Sequence, residues 1–224
     1  WSSGMTSSST PMVKFWTDEE PHGFPFTTQA QPLRILYFDL ETRVPLEELG
    51  GSWARVKMEG GVSMMVVWDD LAGAPLFFDD HDLEAAAKTL EGADLVVSFN
   101  GRYFDVPLLE QHLGRSIQLK EHWDLFHDVE QALRARGEGF RGYGLGAICE
   151  RTIGKSKTGS GKDAPHLART GKWAELVSYT LSDVLLCRDL ATHIRENGSI
   201  VDKNGENLTV EVPFWLQLTR GAEK

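Results

Sequence analysis

The chain has 224 residues, enough for one large domain or two small ones with an ample core. Its 41% hydrophobic and 25% charged residues are those of an ordinary globular protein, and no apolar run is long enough to cross a bilayer. A formal charge of −10 argues, on the total alone, against nucleic acid as a partner. The distribution says more. Between Arg151 and Lys172 the bases are Arg151, Lys155, Lys157, Lys162, Arg169 and Lys172, against the single acid Asp163, a local +5 in an otherwise acidic chain.

Residues 1–31 are rich in Ser, Thr and Pro without sustained periodicity, and a disordered tail is expected there. Trp1-Ser-Ser-Gly ahead of Met5 reads as a fusion scar. The stretch lacks the apolar segment of a signal peptide, and Cys149 and Cys187 make no C-x-x-C pair. Buried thiols in a reducing, cytoplasmic setting are the expectation. A single domain is expected over residues 32–216, with a tail at 217–224.

The first strand is Ile35-Leu-Tyr-Phe-Asp-Leu-Glu-Thr42. Alternation puts Leu36, Phe38 and Leu40 on one face and Ile35, Tyr37, Asp39 and Glu41 on the other. Two carboxylates two residues apart on one face each disfavour ionisation of the other, and burial makes this worse. A divalent cation such as Mg²⁺ or Mn²⁺ removes the conflict; a strand end running into solvent would remove it too. Val44 to Met58 reads as a connection. Val62–Trp68 and Pro75–Phe78 complete an antiparallel meander. A short helix follows over Asp82 to Glu91, capped by Asp80 or Asp82. Leu95–Phe99 is a fourth strand, Asn100-Gly101 a turn, and Phe104 to Leu113 a helix ended by Gly114. In it Asp105 is either a functional acid or a helix cap.

Glu121–Leu125 is a short fifth strand with Asp124 at its end. Helices are expected around Asp128 to Arg136 and Leu145 to Thr152. Residues 154–171 read as a flexible basic loop. Its Gly159-Ser-Gly-Lys162 is not a phosphate loop, because Asp163 stands where Ser or Thr is required. A long helix over Lys172 to Ile194 carries Tyr179 and Asp183 at i, i+4, with Cβ atoms about 6 Å apart on an apolar stripe. A carboxylate there needs a metal or a partner, the Tyr179 phenol being one candidate. Ser199 to Val212 is a hairpin around Asn204-Gly205, and it either extends the sheet or guides a strand. The spacing of the seven histidines predicts no zinc site.

Asp39-x-Glu41, then Asn100-Gly-x-x-Phe-Asp105-x-Pro107, then Tyr179-x-x-x-Asp183 resembles the three motifs of the DEDD superfamily of 3′–5′ exonucleases. Tyr179 marks the tyrosine branch; the histidine branch would carry His where this chain has Ser178. Within that group the chain is similar, over about residues 33 to 195, to bacterial stand-alone exonucleases related to the proofreading domain of family B DNA polymerases. The resemblance implies an α/β, ribonuclease H-like fold: a mixed sheet with a three-stranded antiparallel meander, flanked by helices. It also implies hydrolysis of phosphodiesters at single-stranded 3′ ends, DNA favoured over RNA, with release of nucleoside 5′-monophosphates. Asp39, Glu41 and Asp183 would then hold one divalent cation, Mg²⁺ or Mn²⁺. Asp39 and Asp105 would hold a second, and Tyr179 would position water. Thr42 and Asn100 would meet the terminal nucleotide, and Asp124 would be an outer carboxylate or else a solvated strand-end acid. Phe104 offers a stacking surface, and Lys155, Lys157 and Lys162 offer phosphate contacts. Repair or replication proteins are the partners such an enzyme would have; no oligomeric state follows. Two rival readings use the same residues: a nucleic-acid-binding module with little turnover, and a structure-specific endonuclease.

Overall fold

The computed structural model describes residues 32–159, 161–213 and 216. The expected tail at 1–31 and the C-terminal one at 217–224 lie outside the described residues. Five strands form one mixed sheet: β1 (Ile35–Thr42), β2 (Val62–Asp69), β3 (Ala74–Asp79), β4 (Leu95–Ser98) and β5 (His122–Asp124). Their order is β3-β2-β1-β4-β5, which puts β1 at the centre. β1 pairs antiparallel with β2, and β2 with β3; β1–β4 and β4–β5 are parallel.

The alternation in β1 divides the core in two. Leu36, Phe38 and Leu40 join Met65, Val67 and Val96 on one face. That face is covered by α2 (Leu83–Glu91) and α3 (Asp105–Leu113), through Leu83, Leu90, Leu108 and Leu109. Tyr37 joins Met64, Val66, Leu95 and Val97 on the other. There α4 (Leu125–Ala135), α5 (Leu145–Ile153) and the long α7 (Trp173–Asn197) cover the sheet. Strands covered on both faces must be apolar almost throughout, as β2 and β4 are. Each fully buried Leu contributes about 2 kcal/mol to this packing. Residues with acids on such strands are therefore conspicuous.

Several boundaries differ from the sequence reading, for local reasons. The β1–β2 connection contains a helix, α1 (Trp53–Glu59). Its N-cap Ser52 accepts a hydrogen bond from the Arg55 N–H, and Arg55 pairs with Glu59 one turn on. The basic loop contains α6 (Ala164–Arg169), with Pro165 in its first turn. Asp82 holds the N-cap position of α2 without a side-chain capping bond, and Asp80 instead pairs with Arg43. The C-terminal hairpin does not extend the main sheet: β6 (Ser199–Val201) and β7 (Asn207–Thr209) form a sheet of their own. Both cysteines are free and buried. Among the described residues, no helix is long and apolar enough to cross a membrane.

Candidate active site

Asp39 and Glu41 stand on the α7 side of β1, in register with Val66 and Met64 of β2. The register shifts between Glu41 and Thr42, a bulge that ends the regular ladder beside the acids. Ser63 holds it, its hydroxyl donating to the carbonyls of Glu41 (3.1 Å) and Thr42 (3.3 Å). Asp183, one helical turn beyond Tyr179, projects from α7 onto the same place. Carboxylate oxygens of Asp39, Glu41 and Asp183 all lie within 4.8 Å of one another. Glu41 and Asp183 are buried and Asp39 is partly so; the acids do not run out into solvent.

The electrostatics of this cluster are unbalanced. Burial, with Asp105 and Asp183 nearby, pushes the Asp39 carboxyl well above the usual carboxylate range. Burial, Asp39 and Asp183 do the same to Glu41. A cation answers them: the Lys157 ammonium donates to Asp183 Oδ2 at 2.5 Å. Burial alone would lower this lysine, but Asp183, Asp39 and Glu41 outweigh it and hold the ammonium above its ordinary value. That charge does not satisfy three acids, and among the described residues Asp183 Oδ1 is buried with no hydrogen-bond partner. A set of carboxylate oxygens, one of them orphaned, fits a hard divalent cation such as Mg²⁺ or Mn²⁺.

Asp105 lies beside this triad rather than in it. Phe104 occupies the N-cap position of α3 and Asp105 the first helical residue. The Asp105 carboxylate accepts from the Leu40 N–H at 3.3 Å, reaching back to β1 instead of capping its own helix. Burial pushes it up to about 7, with Asp124 adding to the rise. Tyr179 is 8% exposed, and its ring lies 5.9 Å from Lys157 Nζ. Burial raises its phenol, as do Glu41, Asp183 and Asp39, so the hydroxyl stays protonated. The loop after α5 presses on this ring. A Cβ at Gly159 would lie 3.1 Å from Tyr179 Cδ2, so glycine there allows the backbone to approach.

Two cavities are each lined by one acid of the triad. Thr42 and Phe104 line one of 280 Å³ together with Glu41; Asn100 and Lys157 line one of 540 Å³ together with Asp39. Lys162 lies on the first. Lys155 is not brought to the acids: it pairs with Asp189 on a separate groove of α7. Asp124 is not solvated. It is 2% exposed and accepts from four backbone N–H groups, those of Asn100, Arg102, Phe126 and His127. It thereby caps α4 and fixes the Asn100 turn, where φ is +71°. Sequence reasoning missed Trp53, which lines both cavities. Ser52 followed by a helix-forming run was the available signal.

A central strand carrying acids at its end, in the order β3-β2-β1-β4-β5 with helices on both faces, defines a ribonuclease H-like protein. A family model of the RNase H superfamily matches residues 36–194, and the chain belongs to that superfamily. Among solved structures it is similar to the family B DNA polymerase from the hyperthermophilic archaeon Pyrobaculum calidifontis. The identity is 19% and the TM-score 0.56, over 73% of this chain and 24% of the polymerase chain. The likeness is one of fold, and this chain spans about a quarter of the polymerase's length. No curated protein matches.

Proposed function

We propose that this chain is a two-metal-ion 3′–5′ exonuclease that acts on single-stranded ends, DNA in preference to RNA, and releases nucleoside 5′-monophosphates. The observation that carries the reading is the convergence of Asp39, Glu41 and Asp183 within 4.8 Å, with a buried carboxylate oxygen left unpartnered among the described residues. These three would hold one divalent ion, and Asp105, next to Asp39, would share a second with it. Such ions supply charge neutralisation at the phosphate and a bound water of lowered pKa.

The remaining work falls to side chains of this chain. Tyr179 keeps its proton, so its hydroxyl orients the attacking water as donor and acceptor and does not serve as the base. Lys157 carries the positive charge nearest the acids and meets the non-bridging oxygens of the scissile phosphate. Water adds to phosphorus while the bond from phosphorus to the 3′ oxygen breaks. The strand keeps a 3′-hydroxyl, and the product carries the 5′-phosphate. A nucleophilic side chain is not needed.

The test is a time course on 5′-labelled single-stranded DNA and RNA of one sequence, with Mg²⁺, with Mn²⁺ and with chelator. A metal-dependent ladder shortening from the 3′ end is expected, faster on DNA. Asp39→Ala should lower the rate by a factor of about 10² or more while the circular dichroism spectrum stays that of the wild type. Cleavage by that variant at the wild-type rate would sink the reading. Cutting of a circular single strand would replace it with the endonuclease reading.

A further inference from the structure

The connection between α4 and α5 carries a turn that the chemistry above does not use. In Phe140-Arg-Gly-Tyr143 the Tyr143 N–H donates to the Phe140 carbonyl at 3.1 Å. Gly142, third in the turn, has φ +87°, which a type II turn requires and a side chain would strain. Tyr143 is fully buried, its hydroxyl accepts from the Lys203 N–H at 3.3 Å, and the Arg151 guanidinium stands 5.3 Å from its ring centroid. Arg151 also donates to the Gly142 carbonyl at 3.1 Å. The turn is thus pinned from beneath, while its first two side chains stay in solvent. Phe140 is 55% exposed, and Arg141 is exposed as well.

Both side chains line the cavity that Asp39 lines. Phe140 is the outermost of three rings there. Phe99 meets Phe126 with centroids 5.3 Å apart, and Phe126 meets Phe140 edge-on at 5.9 Å and 85°. Phe99 and Phe126 are partly buried, so the aromatic surface runs from beside Asn100 outward into solvent. A ring on a pinned backbone loses little freedom when something binds it. Arg141 differs from the arginines around it. Arg136 is held by Asp202, and Arg151 by the Val201 and Gly142 carbonyls; among the described residues Arg141 makes no ion pair. A ring that accepts any base and a cation available to a phosphate are the two parts of a single-strand track. This track begins in a cavity shared with a triad acid.

We propose that the Phe140–Tyr143 turn grips the strand on the 5′ side of the scissile phosphate. Phe140 stacks on a base upstream of the penultimate nucleotide, and Arg141 meets the phosphate beside that base. The turn supplies grip rather than chemistry: it sets how long a strand must be to be held. The protein therefore favours strands that reach the turn and slows once a strand has been trimmed too short to reach it. The assignment rests on the exonuclease reading above.

The experiment measures initial rates of terminal cleavage in Mn²⁺, well below saturation, on a 5′-labelled thymidine dinucleotide and octanucleotide. The proteins are the wild type, Phe140→Ala, Phe140→Trp and Arg141→Gln. Loss of one base–aromatic stack is worth about tenfold. The wild type should therefore favour the octanucleotide by at least about that factor. Phe140→Ala should lose the advantage by slowing on the octanucleotide only, and Phe140→Trp should keep it. Arg141→Gln should reduce the steepness of log rate against log salt on the octanucleotide by about 0.7, the share of one phosphate contact on a single strand. Phe140→Ala should leave that slope as it is. Equal slowing of Phe140→Ala on both strands, no slowing on either, or an unchanged slope in Arg141→Gln overturns the assignment and leaves the exonuclease reading in place. So does a wild type that cleaves both strands equally fast. A wild type that shortens neither strand overturns both.

Discussion

Two groups of buried carboxylates in this molecule behave in opposite ways. Asp124 receives four backbone N–H groups, and Asp202 receives the N–H groups of Glu206 and Asn204 together with Arg136. The Glu206 N–H foremost, then that of Asn204 and the Arg136 guanidinium, hold Asp202 below its ordinary value. Asp39, Glu41 and Asp183 face the Lys157 ammonium, and among the described residues Asp183 keeps an oxygen with no partner. Fully bonded acids hold loops and hairpins in place. Acids left with excess charge wait for something else, and a buried position makes that excess expensive. Burial by itself therefore identifies no site; the balance of partners around the buried group does.

The largest effect that would break this contrast lies at Asp124. Its replacement by Ala leaves four backbone N–H groups without an acceptor and should cost about 3 kcal/mol, a fall in melting temperature of about 6–12 °C. Thermal denaturation followed by circular dichroism checks it. An unchanged melting temperature would show that Asp124 is not the structural acid described here.

A smaller effect sharpens the other half. Asp39, Glu41 and Asp105 have raised values in the folded state, Asp105 up to about 7. A raised acid contributes stability that is complete below its unfolded value and is lost as pH rises through its folded value. In chelator, the protein should therefore lose about 1–2 kcal/mol of stability between pH 5.5 and 8.5. Mg²⁺ or Mn²⁺ should restore it at the upper end, and Asp39→Asn should flatten the slope. A metal-free melting temperature that rises steadily across this interval would contradict the charge imbalance.

How much of this was legible in the sequence follows from where each residue's partners lie. The two faces of β1 follow from alternation alone, whereas the burial of Asp39 and Glu41 depends on the helices that cover the strand, which its own residues do not specify. That Tyr179 and Asp183 share one face of α7 follows from helical periodicity. Asp105 was legible as an acid in the right place, but its reach to the Leu40 N–H was not, since that contact spans 65 residues. The structural role of Asp124 is hidden in the sequence for the same reason: two of its four donors come from the Asn100 turn, 22 and 24 residues away. Helix α1 went unread because its signals, a Ser cap and one Arg–Glu pair, are individually weak and follow a pair of glycines. With it went Trp53. Lys155 and Lys157 were indistinguishable in sequence, and only the fold sends one to Asp189 and the other to Asp183.

The central claim is that the unbalanced triad is a cation site. It is tested most directly by calorimetric titration of Mn²⁺ into the metal-free wild-type protein at pH 8, beside Asp183→Asn and Asp124→Asn. The account predicts saturable binding with release of protons in the wild type. It predicts binding weakened at least tenfold in Asp183→Asn and retained in folded Asp124→Asn. Binding that is absent from the wild type, or unchanged in Asp183→Asn, would contradict it.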